Sequence, residues 1–244
     1  MAAGGAGSNE TGQERKGRIM TFSIVAHCAR TRQFGVAVVS SSPAVAARCA
    51  FARAGVGAVT SQNVTDPRLG PMALDLLERG LTPAECQVVM ARVATHAQYR
   101  QMTFIDSSGR GAAWSGTGTL GTHAEAFGKN IVSAGNLLAN ADVPAAIVAA
   151  FEKSDPLLEL GARILLALQA GADAGGEAGP VHSAGMLVVD REKWPLADLR
   201  VDWDENPVAR LTELWAVWKP QMYDYVQRAL HPTQAPSYGV PGDE

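Results

Sequence analysis

Three short runs of this chain are apolar at almost every position: residues 23–28 (SIVAHC), 34–39 (FGVAVV) and 183–189 (SAGMLVV). A strand with one face in water alternates apolar and polar residues; these β-rich runs do not, so each must be covered on both faces. A short polar loop, Ala29 to Gln33 with two arginines, separates the first two. That spacing predicts a hairpin, and hence antiparallel pairing. The fold must therefore place a further layer on each side of an antiparallel sheet.

The remaining chain supplies such layers. Residues 43–55 (PAVAARCAFARAG) carry small apolar residues at mixed helical spacing, and VGAVTSQN, 56–63, reads as a third strand. Helices are predicted near 70–79, with Pro71 at the start and Gly80 at the stop, and over 83–94, with Thr82 as N-cap, Pro83 behind it and Glu85 at the third position. A second hairpin spans 99–116 with DSSGR as its turn, and a strand in KNIVSAGNLL, 129–138, breaks at Gly135 and Asn136. Two more helices follow in 142–154 and 155–171, each begun by Asp with Pro close behind. Strands in 182–190 and 196–202 precede a long helix from about Pro207 to Leu230 containing Trp215 and Trp218. Hairpins interleaved with paired helices do not make βαβ units. They predict an α+β chain, a four-layer αββα sandwich with two antiparallel sheets face to face between helical layers. Residues 21–230 are read as that single domain. The polar, Gly/Ala/Ser-rich residues 1–20 are read as a disordered extension or a mis-assigned start, and 231–244 as an irregular tail.

Composition removes several function classes. The net charge of −3 comes without a basic stripe, so no nucleic-acid partner is expected. Cys28, Cys49 and Cys86 form no CxxC pair, and neither a signal-peptide core nor a run of 18 apolar residues occurs; a cytoplasmic protein with no membrane partner is expected. The five histidines lack HxxxH and HxH spacing, so no metal is predicted. GTGTLG, 116–121, matches GxGxxG formally, but it follows a hairpin strand and opens no amphipathic helix; no cofactor is expected. His27 and Cys28 are strand neighbours pointing to opposite faces, which excludes them as a catalytic pair.

Chemistry concentrates at IMTFSI, where Met20 precedes Thr21. If the chain were opened between them, Thr21 would carry a hydroxyl nucleophile and an α-amine of pKa about 7.7 to 8, both within one residue. The plainer alternative is a β-branched residue entering a strand. With the hairpin centred near residue 31, Thr21 falls opposite about Ser41. Ser40, Ser41 and Ser42 then lie beside it, to bind substrate or to satisfy turn backbone. Asn136 offers an amide for an oxyanion, or simply a turn. Gln62 and Asn63 end the third strand as pocket residues or as loop caps. Arg200, within the charged stretch 198–205, is an ion-pair partner or a substrate-carboxylate site.

The ordered blocks MTFSIVAHC, FGVAVVSSSPAV, ARAGVGAVTSQNVTDPRLGPMALDLLERGLTPAEC, YRQMTFIDSSGRGAAWSG, SAGNLL, HSAGMLVV and ADLRVDWDENPVARL resemble family 1028 of the domains of unknown function, grouped with the N-terminal nucleophile (Ntn) hydrolases. The resemblance runs from about Met20 to Leu214. It implies an αββα fold and hydrolysis of an amide-type C–N bond, with Thr21 at the nucleophile position. Ser41, Ser42, Gln62, Asn136 and Ser183 fall in its recurrent blocks as pocket residues. Members often carry arginine at His27 and glutamine at His182, so neither histidine is given a catalytic role. The expected substrate is a small non-peptide amide, cyclic imide or ureido compound, and the expected assembly a homo-oligomer. The alternative is a non-catalytic ligand-binding or assembly protein on the same fold. An attached extension acylates the Thr21 amine; a start assigned too far upstream, a removed propeptide, or a fold used without the chemistry would each account for it.

Overall fold

All residues of β1 (Thr21–Cys28) and β2 (Gln33–Ser40) are buried, and the two pair as the expected hairpin, Thr21 opposite Ser40 and Cys28 opposite Gln33. The computed structural model describes residues 21–242, so the reading of residues 1–20 lies outside the described residues. β1 and β2 are the middle of a six-stranded antiparallel sheet. β8 (Ile131–Asn136) and β7 (Ala124–Gly128) extend it beyond β1; β9 (Ser183–Val189) and β10 (Ala197–Val201) extend it beyond β2. A second antiparallel sheet has the order β3 (Ala50–Arg53), β4 (Gly57–Asn63), β5 (Arg100–Asp106), β6 (Gly111–Ser115).

Alternation along β1 sorts its side chains into two layers. Phe22, Ile24, Ala26 and Cys28 join a core with Ile147 and Phe151 of α4 (Val143–Lys153), Ile164 of α5 (Leu160–Asp173) and Trp215 of α6 (Pro207–Trp218). Val25 meets Phe34, Val36, Ala58, Ile105 and Val132 between the sheets. On the far side, Val59 and Phe104 pack on Leu74 of α2 (Leu69–Glu78) and Met90 of α3 (Pro83–Val93). These are the four layers of the αββα sandwich. Thr21 shares its face with Val25, so its side chain lies between the sheets.

Local sequence rules explain the helix boundaries. Thr82 and Glu85 form a reciprocal capping box at α3, with Pro83 at the first position. Four elements depart from the sequence reading. Residues 43–55 hold only one turn of helix, α1 (Ala46–Cys49), before the chain extends into β3; its start has no side-chain cap to prolong it. β7 was not anticipated, because an edge strand with half-exposed residues has no apolar signature. α5 starts at Leu160, since the Asp155 carboxylate accepts the Leu157 N–H and forms a turn there instead. The long helix after Pro207 is broken by a 3-10 turn, Lys219–Gln221, before α7 (Met222–Leu230), because Pro220 has no N–H to continue the ladder. Beyond α7, Arg228 lies 3.9 Å over the ring of Tyr238, so the described part of the tail folds back on that helix. Among the described residues no helix is long and apolar enough to cross a membrane.

Candidate functional site

Thr21 stands in a row of polar side chains that crosses four neighbouring strands. Ser183 pairs with Ser40, Ser40 with Thr21, and Thr21 with Asn136, so all four share the face between the sheets. The same layer holds apolar side chains such as Val25, Phe34, Val36 and Ile105, and each member of the row is at most 3% exposed. The register differs from the predicted one by a single residue, Ser40 rather than Ser41 lying opposite Thr21. With a side-chain period of two, that step decides which serine faces the threonine.

A chain of hydroxyls runs from Thr21 to a cation. Thr21 Oγ1 donates to Ser40 Oγ at 3.3 Å, Ser40 Oγ lies 2.9 Å from Ser42 Oγ, and Arg48 Nη2 donates to Ser42 Oγ at 2.6 Å. Arg48 Nη1 donates to the carbonyls of Pro43 and Ala44, which fixes the guanidinium over the loop after β2. Ser183 braces the same loop: its Oγ donates to the Ser42 carbonyl at 2.6 Å and accepts the Val45 N–H at 3.2 Å. The predicted residues Ser42 and Ser183 thus join Thr21.

Asn136 connects this row to the opposite sheet. Its Nδ2 donates to Gln101 Oε1 at 3.0 Å, and the same oxygen accepts from Gln62 Nε2 at 2.8 Å. Gln101 Nε2 in turn donates to Ser115 Oγ at 2.9 Å and to the Gly135 carbonyl at 3.0 Å, while Gln62 Nε2 also reaches the Ala134 carbonyl at 3.3 Å. This amide cluster holds the two sheets together at the Thr21 end. The side-chain carbonyl oxygens of Asn136 and Gln62 are buried without a hydrogen-bond partner among the described residues.

Glu177 closes the end of the row. It is 6% exposed, and its Oε2 accepts the Ser41 backbone N–H at 3.1 Å. Burial pushes its carboxyl up to about 9, opposed by the hydrogen bonds from the Ser41 backbone and hydroxyl. Ser41 therefore enters the site through this contact.

Two predicted residues lie apart. Asn63 has φ +68°, donates through Nδ2 to the Tyr99 carbonyl at 2.7 Å and accepts the Leu120 N–H, tying loops together. Arg200, on the edge strand β10, is 3.7 Å from Asp202 and half-exposed. Sequence reasoning missed Arg48, Gln101 and Glu177. Gln101 and Glu177 carried a faint signal, an amide beside the apolar run MTFI and a single carboxylate within the glycine-rich stretch 171–180; Arg48 carried none. A surface cavity of about 480 Å³, lined in part by Arg30, Gln33, Asp190, Trp194 and Tyr223, lies at the opposite end of β2 and includes none of the predicted residues.

Comparison with known proteins bears on the same segment. The sequence model of a family described as "family of unknown function (DUF1028)" matches residues 21–211. A crystal structure of a DUF1028 protein from Silicibacter pomeroyi is similar at 28% identity and TM-score 0.77, over 86% of this chain and 93% of that one. Anbu, the ancestral β-subunit from Yersinia bercovieri, aligns over 84% of this chain and 97% of its own at 10% identity, TM-score 0.36. No curated protein matches the sequence.

Proposed function

The chain belongs to the DUF1028 family, whose match begins at Thr21, and from that premise we propose that it is a hydrolase of a small non-peptide amide, cyclic imide or ureido C–N bond, with Thr21 as an amino-terminal nucleophile. The observation that carries this reading is the position of Thr21: the first residue of a central strand, its hydroxyl held by Ser40 in a polar row between the sheets.

The reaction needs the Met20–Thr21 bond to be absent, since an acylated nitrogen is not a base. In the opened chain, Thr21 Oγ1 attacks the substrate carbonyl carbon and its proton passes to the α-amine. The second hydrogen of Asn136 Nδ2, the one not given to Gln101, donates to the oxyanion. Collapse breaks the C–N bond, the leaving nitrogen takes the proton back from the amine, and a Thr21 ester remains. Water then attacks the ester, the amine accepting a proton from it and returning one to Oγ1 as the acid departs. Once Oγ1 gives up its proton, the hydroxyl chain runs in the reverse sense, Arg48 donating to Ser42, Ser42 to Ser40 and Ser40 to Oγ1, which favours negative charge there.

Intact-mass measurement of the protein from its native source, with turnover of N-carbamoyl and cyclic imide substrates, tests the reading. A mature chain beginning at Thr21 that cleaves such a substrate supports it. A mature chain that retains residues 1–20 and binds without turnover favours a ligand-binding protein on the same fold.

A further inference from the structure

Glu177 is a carboxylate that the reaction above does not use, buried at the place where β1 begins. Its backbone bridges Leu138, two residues beyond Asn136, the β8 partner of Thr21. Its Oε2 accepts the N–H of Ser41, one residue beyond Ser40, the β2 partner of Thr21. The residue thus spans from one flanking strand to the other across the line that β1 would follow if extended backward past Thr21. The Ser40 carbonyl accepts the His182 N–H on the β9 side. Strand alternation therefore turns the backbone of Ser41 toward β1, and the carboxylate that meets it lies on the β1 side.

Glu177 is 6% exposed, and its Oε1 has no hydrogen-bond partner among the described residues. Its titration is governed by burial, which raises it, and by the two Ser41 hydrogen bonds, which oppose the rise. A buried carboxylate whose second oxygen is unpaired suits a cationic donor.

Resting on the hydrolase reading, we infer that Glu177 is the positioning residue for the α-amine of the opened chain, with Oε2 fixed by Ser41 and Oε1 accepting an N–H of the Thr21 amine. One amine hydrogen is then committed to the carboxylate, which orients the nitrogen lone pair toward Oγ1. In the resting ammonium form the pair is electrically neutral; the nitrogen gives up one proton before it acts as the base. The amides of Asn136 and, on the opposite sheet, Gln101 carry no charge and leave the neutralising of the ammonium to Glu177.

Carboxyl-labelled glutamate, followed by NMR, tests this in two forms of the protein: the 244-residue chain and a chain beginning at Thr21. In the first, the Glu177 signal, assigned by its loss in Glu177→Gln, is expected to titrate well above the ordinary carboxylate range, at about 9. In the second it is expected to move down to or below the ordinary carboxylate range, because an ammonium now faces it. Identical titration in both forms overturns the inference. A second measurement follows the α-nitrogen of labelled Thr21. Glu177→Gln keeps an acceptor for Ser41, and it is expected to reduce the proton affinity of the amine at least about tenfold; an unmoved amine titration also overturns it. Neither readout needs a substrate. Full turnover by Thr21→Ala would remove the hydrolase reading while these titrations still decide the contact.

Discussion

Thr21 and Asn136 are direct cross-strand partners at matching ends of β1 and β8, 115 positions apart in sequence and both buried between two sheets. Asn136 is also one of the points where the first sheet hydrogen-bonds the second, through Gln101. One residue therefore serves both the proposed nucleophile and the packing of the sandwich.

Substitutions at Thr21 separate chemistry from folding. Thr21→Ser keeps a hydroxyl and an amine and is expected to retain measurable turnover, whereas Thr21→Ala is expected to lose at least about a thousandfold. Urea denaturation should show a cost of about 1 kcal/mol for the alanine variant, the worth of its single hydrogen bond to Ser40. A larger cost would mean that lost turnover reflects lost folding.

Asn136→Ala removes the proposed oxyanion donor and a bond to Gln101 together. A fall in kcat of about 10²–10³ is expected, with KM changed much less, since the donor acts on charge present only in the transition state. Steady-state kinetics check this; a rise in KM alone would make Asn136 a binding residue.

Gln101→Leu tests the amide cluster without touching Thr21. It removes the acceptor that Gln62 and Asn136 share, leaving Gln62 only its bond to the Ala134 carbonyl, and removes the amide that donates to Ser115 and the Gly135 carbonyl. The expected cost is about 2 kcal/mol, or roughly 4–8 °C in Tm for a chain of this size. A thermal melt within 1 °C (about 0.3 kcal/mol) of wild type would show the cluster to be energetically idle.

Arg48→Met should lower kcat/KM roughly tenfold, the equivalent of one charge-assisted hydrogen bond of about 1.5 kcal/mol. Arg48→Lys should restore only part of it, because an ammonium does not reproduce the fork that holds Ser42, Pro43 and Ala44 at once. Equal activity in all three proteins would separate the hydroxyl chain from catalysis.

Stability of the 244-residue chain should depend on Glu177. Its folded carboxyl sits at about 9, above the unfolded value of about 4.3, so the folded state binds the extra proton. The stability this confers is fully present below the unfolded value and is lost as pH rises through the folded one. Glu177→Gln is therefore expected to be more stable than wild type near pH 8, with the advantage shrinking toward pH 4. Chemical denaturation across that range measures it, and a difference independent of pH would place the charge elsewhere.

Several features are legible in the chain itself. The runs 23–28, 34–39 and 183–189 demand strands covered on both faces, and Thr82, Pro83 and Glu85 mark the start of α3, because burial patterns and caps act over a few residues. The same locality explains the misreadings. β7 lies half-exposed at a sheet edge, and the break at Pro220 is hidden within an apolar helical pattern. Thr21 and Asn136 can be named from residue type and their places at strand ends. Their joining is a matter of register, and Ser40 replaces Ser41 through a single step of it.

The sequence by itself determined the layers, most helix boundaries, and the presence of a threonine able to act alone if its nitrogen is freed. Only the tertiary structure brought Arg48 into line with Thr21, set Gln101 beneath Asn136, and carried the carboxylate of Glu177 to the Ser41 N–H, 136 positions away. The physical reason is range. Periodicity and capping are settled between neighbours along the chain, whereas a buried polar contact between strands exists only once the sheets have closed and left those groups no water to bind.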